Sequence, residues 1–289
     1  MKYIIVIVML CTQILSSQSF KIGRKVTLPK KLEETSGIIY IGKELVSFND
    51  SGGKAELYVL NPYTGKRNRT VRIQNAQNVD WEAIAQDEKA IYIADTGNNY
   101  GDRTDLVIYK VLKKDFIRKN AVNAEKIYFS YEDQFFYERQ KHYTNFDCEA
   151  ITIYQNQLLL FTKNWGDYHT NIYKVPTKSG NYSAIKIHSL DIGALLTSVE
   201  YNHDNNLFAG TAYDKDYKSY LIIIKDFYLS RQKISKIDLT PKLDYANQIE
   251  AIAWKDNNEV YITREASKNK VKGKKYKNKQ KLFLIKLKD

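Results

Sequence analysis

A short phrase that returns five times, intervals close to the length of a four-stranded sheet, and strand-forming runs that fill most of each interval together predict an all-β fold: a five-bladed propeller closed by a strand from the N-terminal end. The phrase is clearest in Asn78-Val-Asp-Trp-Glu-Ala-Ile-Ala85, Asn145-Phe-Asp-Cys-Glu-Ala-Ile-Thr152 and Asn247-Gln-Ile-Glu-Ala-Ile-Ala253. Two degenerate copies, Glu34-Thr-Ser-Gly-Ile-Ile39 and Leu195-Leu-Thr-Ser-Val-Glu200, fill the gaps. Ser36, Glu82, Glu149, Thr197 and Glu250 then share one equivalent position, at intervals of 46, 67, 48 and 53 residues. Such intervals exceed leucine-rich and ankyrin units and match a propeller blade.

The first nineteen residues read as an export signal. Lys2 supplies the charge, Tyr3 to Leu15 the apolar run and Ser17-Gln-Ser19 a small-x-small cleavage site. That run is short of the ~20 residues needed to span a bilayer, and Cys11 lacks the small neighbours of a lipidation site. The mature chain is therefore expected to start at Phe20, to be periplasmic or secreted, and to carry no transmembrane segment. Residues 20–289 hold no Pro/Gly/Ser linker and read as one domain.

Runs rich in β-branched and aromatic residues, bounded by Gly, Asn, Asp and Pro, place the strands. The first unit has them at 37–41, 44–48, 56–60 and 70–73, with Asn61-Pro-Tyr-Thr-Gly65 as a turn between the last two. The second has 83–85, 90–94, 106–111 and 126–131, and the third 150–154, 157–162, 171–175 and 185–188. The fourth has 198–202, 207–210, 220–224 and 234–239, whereas the last offers only 251–254, 259–263 and 282–287. Lys25-Val-Thr-Leu28 belongs to no other unit and is the natural fourth strand of the last. Closure of this kind removes sheet edges and favours a monomer. A six-bladed ring is the alternative if the long 82 to 149 interval hides a short blade. Its surplus otherwise reads as two insertions, 112–125 with helical character and 132–145 polar and aromatic.

The formal charge of +12 points toward nucleic acid until the lysines are located: eight of them fall between Lys268 and Lys281. The run reads as a solvated loop or a contact for anionic glycan, lipid or nucleic acid, and export argues against the last. Cys148 is the only cysteine of the mature chain. It occupies the place of Trp81 and Ile249 in other copies, which suits a packed core thiol. His142, His169, His188 and His203 show no metal-ligand spacing, and neither a phosphate-binding glycine loop nor a Gly-x-Ser-x-Gly elbow occurs.

In a blade the first strand lines the central axis and its side chains alternate in direction. The equivalent position and the residue two before it should therefore gather Glu34, Asp80, Glu82, Asp147, Glu149 and Glu250 near one mouth. So many carboxylates raise one another's pKa, and a cation is the simplest relief; oxygen donors without His or Cys point to Ca²⁺, with Mg²⁺ or Mn²⁺ behind it. Capping of strand ends by the same acids is the competing reading. Second strands run back to that mouth, ending in Asn49-Asp-Ser-Gly52, Asp95-Thr-Gly97, Lys163-Asn164 and Arg264-Glu265. Asp50, Asp95, Lys163 and Arg264 are thus candidate contacts for a polar or anionic ligand, although turn chemistry also accounts for such residues. By the same geometry 132–145 and the lysine run overhang the mouth.

Glu34-Thr-Ser-Gly-Ile, Asp50-Ser-Gly52 and Asp80-Trp-Glu-Ala-Ile resemble the SdiA-regulated group of exported bacterial propellers, which is distantly similar to NHL-repeat and esterase-like phytase propellers. The resemblance spans roughly residues 24–287. It implies a five-bladed propeller with bound Ca²⁺, with Glu34, Asp80, Glu82, Asp147, Glu149 and Glu250 as the positions able to inherit a ligand role; Ser36 and Thr197 interrupt that ring. The family has no settled activity to lend. Three function classes stand: a Ca²⁺-binding propeller recognising a ligand at the channel mouth, a metal-dependent hydrolase or lyase of phosphoesters, lactones or esters with Glu82 or Glu149 as base, and a purely structural interaction platform.

Overall fold

In the computed structural model, which describes residues 20–227 and 232–288, the chain opens with strand β1 (Phe20–Thr27) and then lays down successive antiparallel sheets. The expected export signal lies outside the described residues. The first sheet takes β2 (Thr35–Ile41), β3 (Glu44–Asn49), β4 (Glu56–Leu60) and β5 (Arg67–Ile73), and the second β6 (Trp81–Gln86), β7 (Ala90–Asp95) and β8 (Val107–Leu112). A short helix α1 (Lys113–Arg118) leads to β9 (Ala121–Val122), which pairs parallel with β5, and to β10 (Glu125–Tyr131), which completes the second sheet. The third sheet is β11 (Cys148–Tyr154), β12 (Gln157–Thr162), β13 (His169–Pro176) and β14 (Gly180–Asp191). The fourth is β15 (Leu195–Asn202), β16 (Leu207–Tyr213), β17 (Ser219–Lys225) and β18 (Lys233–Asp238). Last come β19 (Ile249–Trp254), β20 (Glu259–Arg264), the hairpin β21 (Ser267–Val271) with β22 (Lys274–Asn278), and β23 (Lys281–Leu287).

The innermost strands β2, β6, β11, β15 and β19 each touch the next, and β19 touches β2, so they close a cycle around an axis. The fold is a β-propeller. Its core explains why the middle strands are continuously apolar. Successive residues of a strand point to opposite faces, and both faces of a blade are covered by neighbours. In β12, Leu158 and Leu160 pack toward the second sheet while Leu159 and Phe161 pack toward the fourth. In β7, Ile91 and Ile93 face the first sheet, and Ala90, Tyr92 and Ala94 face the third. Outer strands such as β5 and β18 have only one covered face or none, and their sequences RNRTVRI and KISKID turn polar accordingly.

Ring closure follows the expected route. β1 pairs antiparallel with β23 from Phe20 opposite Leu287 to Thr27 opposite Lys281. Phe20 is buried in the cluster between the fourth and last sheets, and Leu28 in the cluster that joins the last sheet to the first. The closing strand is longer than the four residues read from sequence because Phe20 supplies an apolar anchor at its start. No sixth sheet fills the long 82 to 149 interval among the described residues. Its surplus is α1, the two-residue β9 that extends the first sheet, and the irregular segment 132–145. The outer strands β10 and β14 pair in parallel, which fuses the second and third blades at their rim.

The lysine run is not an extended solvated loop: it folds into the β21–β22 hairpin and its last lysine enters β23. Asn278 Nδ2 donates to the carbonyls of Tyr245 and Ala246, both at 3.0 Å, and Tyr276 packs on Tyr245. These bonds tie the hairpin to the connection that feeds β19.

At the far end of the channel, Glu200 of β15 accepts the backbone N–H of Trp254, and the Trp254 indole donates to the Glu200 carbonyl at 3.1 Å. Burial pushes the Glu200 carboxyl up to about 8, against the pull of that N–H and of Lys113. The folded chain then holds a proton that the unfolded chain, with an ordinary value of 4.5, gives up. Stability carried by this group is present below pH 4.5 and declines as pH rises toward 8. Glu200→Gln should therefore flatten the pH dependence, narrowing the gap between urea midpoints at pH 5 and pH 8.5. An unchanged gap would show that Glu200 is ionised in the fold.

Candidate functional site

All five equivalent positions sit at a β-bulge in an innermost strand: the register slips across Ser36, Glu82, Glu149, Thr197 and Glu250 alike. A bulge re-aims a side chain and is a designed feature of a strand. Ser36, Glu82, Glu149 and Glu250 line one cavity of about 190 Å³ at the channel mouth, together with Asp50 and Lys163. The two hydroxyl copies stitch the ring together. Ser36 Oγ donates to the Glu82 carbonyl at 3.0 Å, and Thr197 Oγ1 donates to the Ile249 carbonyl at 2.6 Å.

One side of the mouth is a carboxylate cluster. Oxygens of Asp50, Asp80 and Glu82 all lie within 4.8 Å of one another. The backbone holds them there. The amides of Asp80 and Val79 donate to the Asp95 carboxylate at 3.0 and 3.3 Å, and Asn78 Nδ2 donates to the carbonyls of Asn49 and Asp50. Gly97 completes the cradle, since a Cβ there would collide with the carboxylates of both Asp80 and Glu82. Burial, with Asp50 and Asp147 nearby, pushes Asp80 up to about 7. Burial with Asp50 and Glu149 drives Glu82 well above its ordinary range. Asp50 is also raised by burial, despite the Ser51 amide and Lys163.

The other side is built around a buried ion pair, Lys163 Nζ to Glu149 Oε1 at 2.9 Å. Burial works against the ammonium, but Glu149, Tyr213 and Glu250 hold Lys163 well above its ordinary value. Its Nζ also lies 5.0 Å from the Trp165 ring centroid, a cation–π contact. Burial pushes Glu250 up to about 7, and burial with Glu250 and Asp50 pushes Glu265 up to about 9. His142 stacks on Trp165 at 4.0 Å, and burial with Lys141 and Lys163 lowers its pKa.

Several expected contacts sit elsewhere. Asp147 is fully buried, and its two carboxylate oxygens accept the Asn98 amide and the Trp165 indole N–H. Asp95 braces the Asp80 turn and pairs with Arg103 at 3.0 Å. Arg264 bonds Asn247 at 2.6 Å, the Lys279 carbonyl at 2.9 Å and Asp244 at 2.8 Å, holding the hairpin to the β19 connection. Glu34 is exposed, with its carbonyl accepting the Asp50 amide at 2.9 Å. Sequence reasoning missed His142, Trp165, Tyr213 and Glu265 on the cavity wall. Glu265 directly follows Arg264, and the cue was the end of a second strand read one residue early. His142 lies within the segment expected to overhang the mouth.

No family model matches the chain, and no curated protein matches it. Among solved structures, a chain of the mitotic checkpoint complex is similar at TM-score 0.41 and 13% identity, with 87% of this chain covered; this chain spans 61% of that one. Luciferin-regenerating enzyme is similar at TM-score 0.49 and 9% identity, covering 89% of this chain and 92% of that one.

Proposed function

We propose that the protein is an exported five-bladed propeller of the SdiA-regulated kind that holds Ca²⁺ through Asp50, Asp80 and Glu82 and recognises a polar or anionic ligand in the adjoining cavity. The convergence of three carboxylates against the bare Cα of Gly97 carries this reading. Oxygen-only donors with a rigid backbone behind them suit a hard cation, Ca²⁺ before Mg²⁺ or Mn²⁺. When bound, the ion supplies the positive charge that the crowded acids lack. Lys163 provides a fixed cation across the cavity, Trp165 and Tyr213 provide flat walls, and His142, Gln248 and Glu265 offer polar contacts. Glu149 is engaged by Lys163, so its task is to keep that ammonium charged and in place.

Titration calorimetry with Ca²⁺ alone, at pH 6, 7 and 8, tests the site. Asp80, pushed up to about 7, is partly protonated near neutrality, and burial with Asp50 and Glu149 shifts Glu82 in the same direction, so a cation must displace protons to bind. Affinity should strengthen as pH rises through 7, by up to about tenfold per unit for each displaced proton. The heat should also scale with the ionisation enthalpy of the buffer. Absence of binding by Ca²⁺, Mg²⁺ and Mn²⁺ at millimolar concentration would overturn the proposal.

A further inference from the structure

Two exposed features flank the cavity mouth, and the function proposed above uses neither. The first is the outer face of the β21–β22 hairpin. Its inner face, with Ser267, Val271 and Asn278, is buried on the body of the protein. The pleat therefore sends Lys268, Lys270, Lys275 and Lys277 outward, and all four are exposed. Lys268 stands directly opposite Lys277, and Lys270 opposite Lys275. Like charges in such register repel, and among the described residues the hairpin's sole ion pair is that of its tip, Lys272 to Asp216 at 4.0 Å. A fixed ribbon with unneutralised paired lysines is complementary to a dense negative surface.

The second feature is aromatic. Phe135, Phe136 and Tyr143 are 77%, 81% and 70% exposed. Their segment is fastened to the second blade by Gln140 N to the Tyr100 carbonyl at 3.0 Å, His142 N to the Asn99 carbonyl at 2.8 Å, and Gln134 Nε2 to the Gly101 carbonyl at 2.9 Å. The rings are thus presented on a braced loop. Both features belong to one face, because His142 from this segment and Glu265, which leads into the hairpin, line the same cavity. They lie on opposite sides of the mouth, so a single partner touching both must be broad, negatively charged at its surface and apolar beneath. A nucleic-acid track would instead need aromatics interleaved with the cations.

We propose that this face docks on an anionic lipid surface, with the four hairpin lysines meeting headgroups and Phe135, Phe136 and Tyr143 entering the interfacial layer. Docking would bring the cavity mouth toward the membrane. Vesicle flotation in EDTA, which excludes bridging by divalent ions, provides the test. Vesicles of phosphatidylcholine with about 30% phosphatidylglycerol should carry the protein up, and pure phosphatidylcholine should not. K268Q/K270Q/K275Q/K277Q should weaken binding roughly a hundredfold or more, while F135S/F136S should leave binding that is released by about 0.5 M salt. Both variants change exposed side chains, so unchanged melting curves separate lost docking from lost folding. Failure of the wild type to float, equal capture by neutral vesicles, or full retention by the lysine variant overturns the proposal. So does competition by millimolar inorganic phosphate, or tighter binding to DNA or sulfated glycan that ignores F135S/F136S.

Discussion

A chain lacking residues 20–27 is expected to lose cooperative folding. Those residues form the outer strand of the last blade and pair along the whole of β23. Their removal strips the ladder from β23, uncovers the cluster that Phe20 helps to fill, and frees Asp244 from its 3.1 Å ion pair with Lys25. Burial of one large aromatic is worth about 3 kcal/mol or more, and the lost ladder adds to it. The total approaches the 5–15 kcal/mol that a whole domain commands. The newly exposed edge should also recruit other chains. Urea unfolding and light scattering check both consequences, and a free peptide spanning residues 20–28 should restore the transition by adding its strand in trans. A truncated chain that stays monomeric with an unchanged midpoint would show that the ring holds without its closing strand.

The ring was legible in the sequence because its cause is local and repeated. Each copy places a bulged residue at the same point of an innermost strand, and Ala83, Ala150 and Ala251 follow the three glutamates. Small residues next to the axis leave a rhythm that survives substitution. Ser36 and Thr197 looked like gaps in a carboxylate ring, yet their hydroxyls bond the next blade's backbone. The cavity wall was less legible. Its members come from connections whose paths depend on tertiary contacts, as with His142, placed by the Asn99 carbonyl, and Trp165, placed by Asp147 and Thr144. The hairpin was hidden by composition, since lysine disfavours strands; the period-two alternation of Ser267, Asn269 and Val271 with Lys268 and Lys270 was the signal that composition masked.

Two glutamates that look identical in the repeat should answer oppositely to the same change. Glu149→Gln leaves the Lys163 ammonium buried without its 2.9 Å counter-ion. Removing one partner of a buried pair costs about 3–5 kcal/mol, toward the lower end here because Glu250 also acts on Lys163. Glu82→Gln takes an ionisable carboxyl out of a site already crowded by Asp50, Asp80 and Glu149. Without divalent ions that change should be neutral or stabilising. With Ca²⁺ the order sharpens, because an ion that binds only the folded state at ~100 times its dissociation constant adds about 2.7 kcal/mol. Wild type and Glu149→Gln should both gain that increment, and Glu82→Gln should gain little or none. Urea midpoints in EDTA and in saturating Ca²⁺ measure all five quantities, with constant m values confirming that stability alone has changed. Adding Lys163→Met to Glu149→Gln should recover most of the loss, since it removes the stranded charge. Equal small losses for Glu82→Gln and Glu149→Gln, without a Ca²⁺ response in either, would mean that the acids serve the strand ends and that no ion is held.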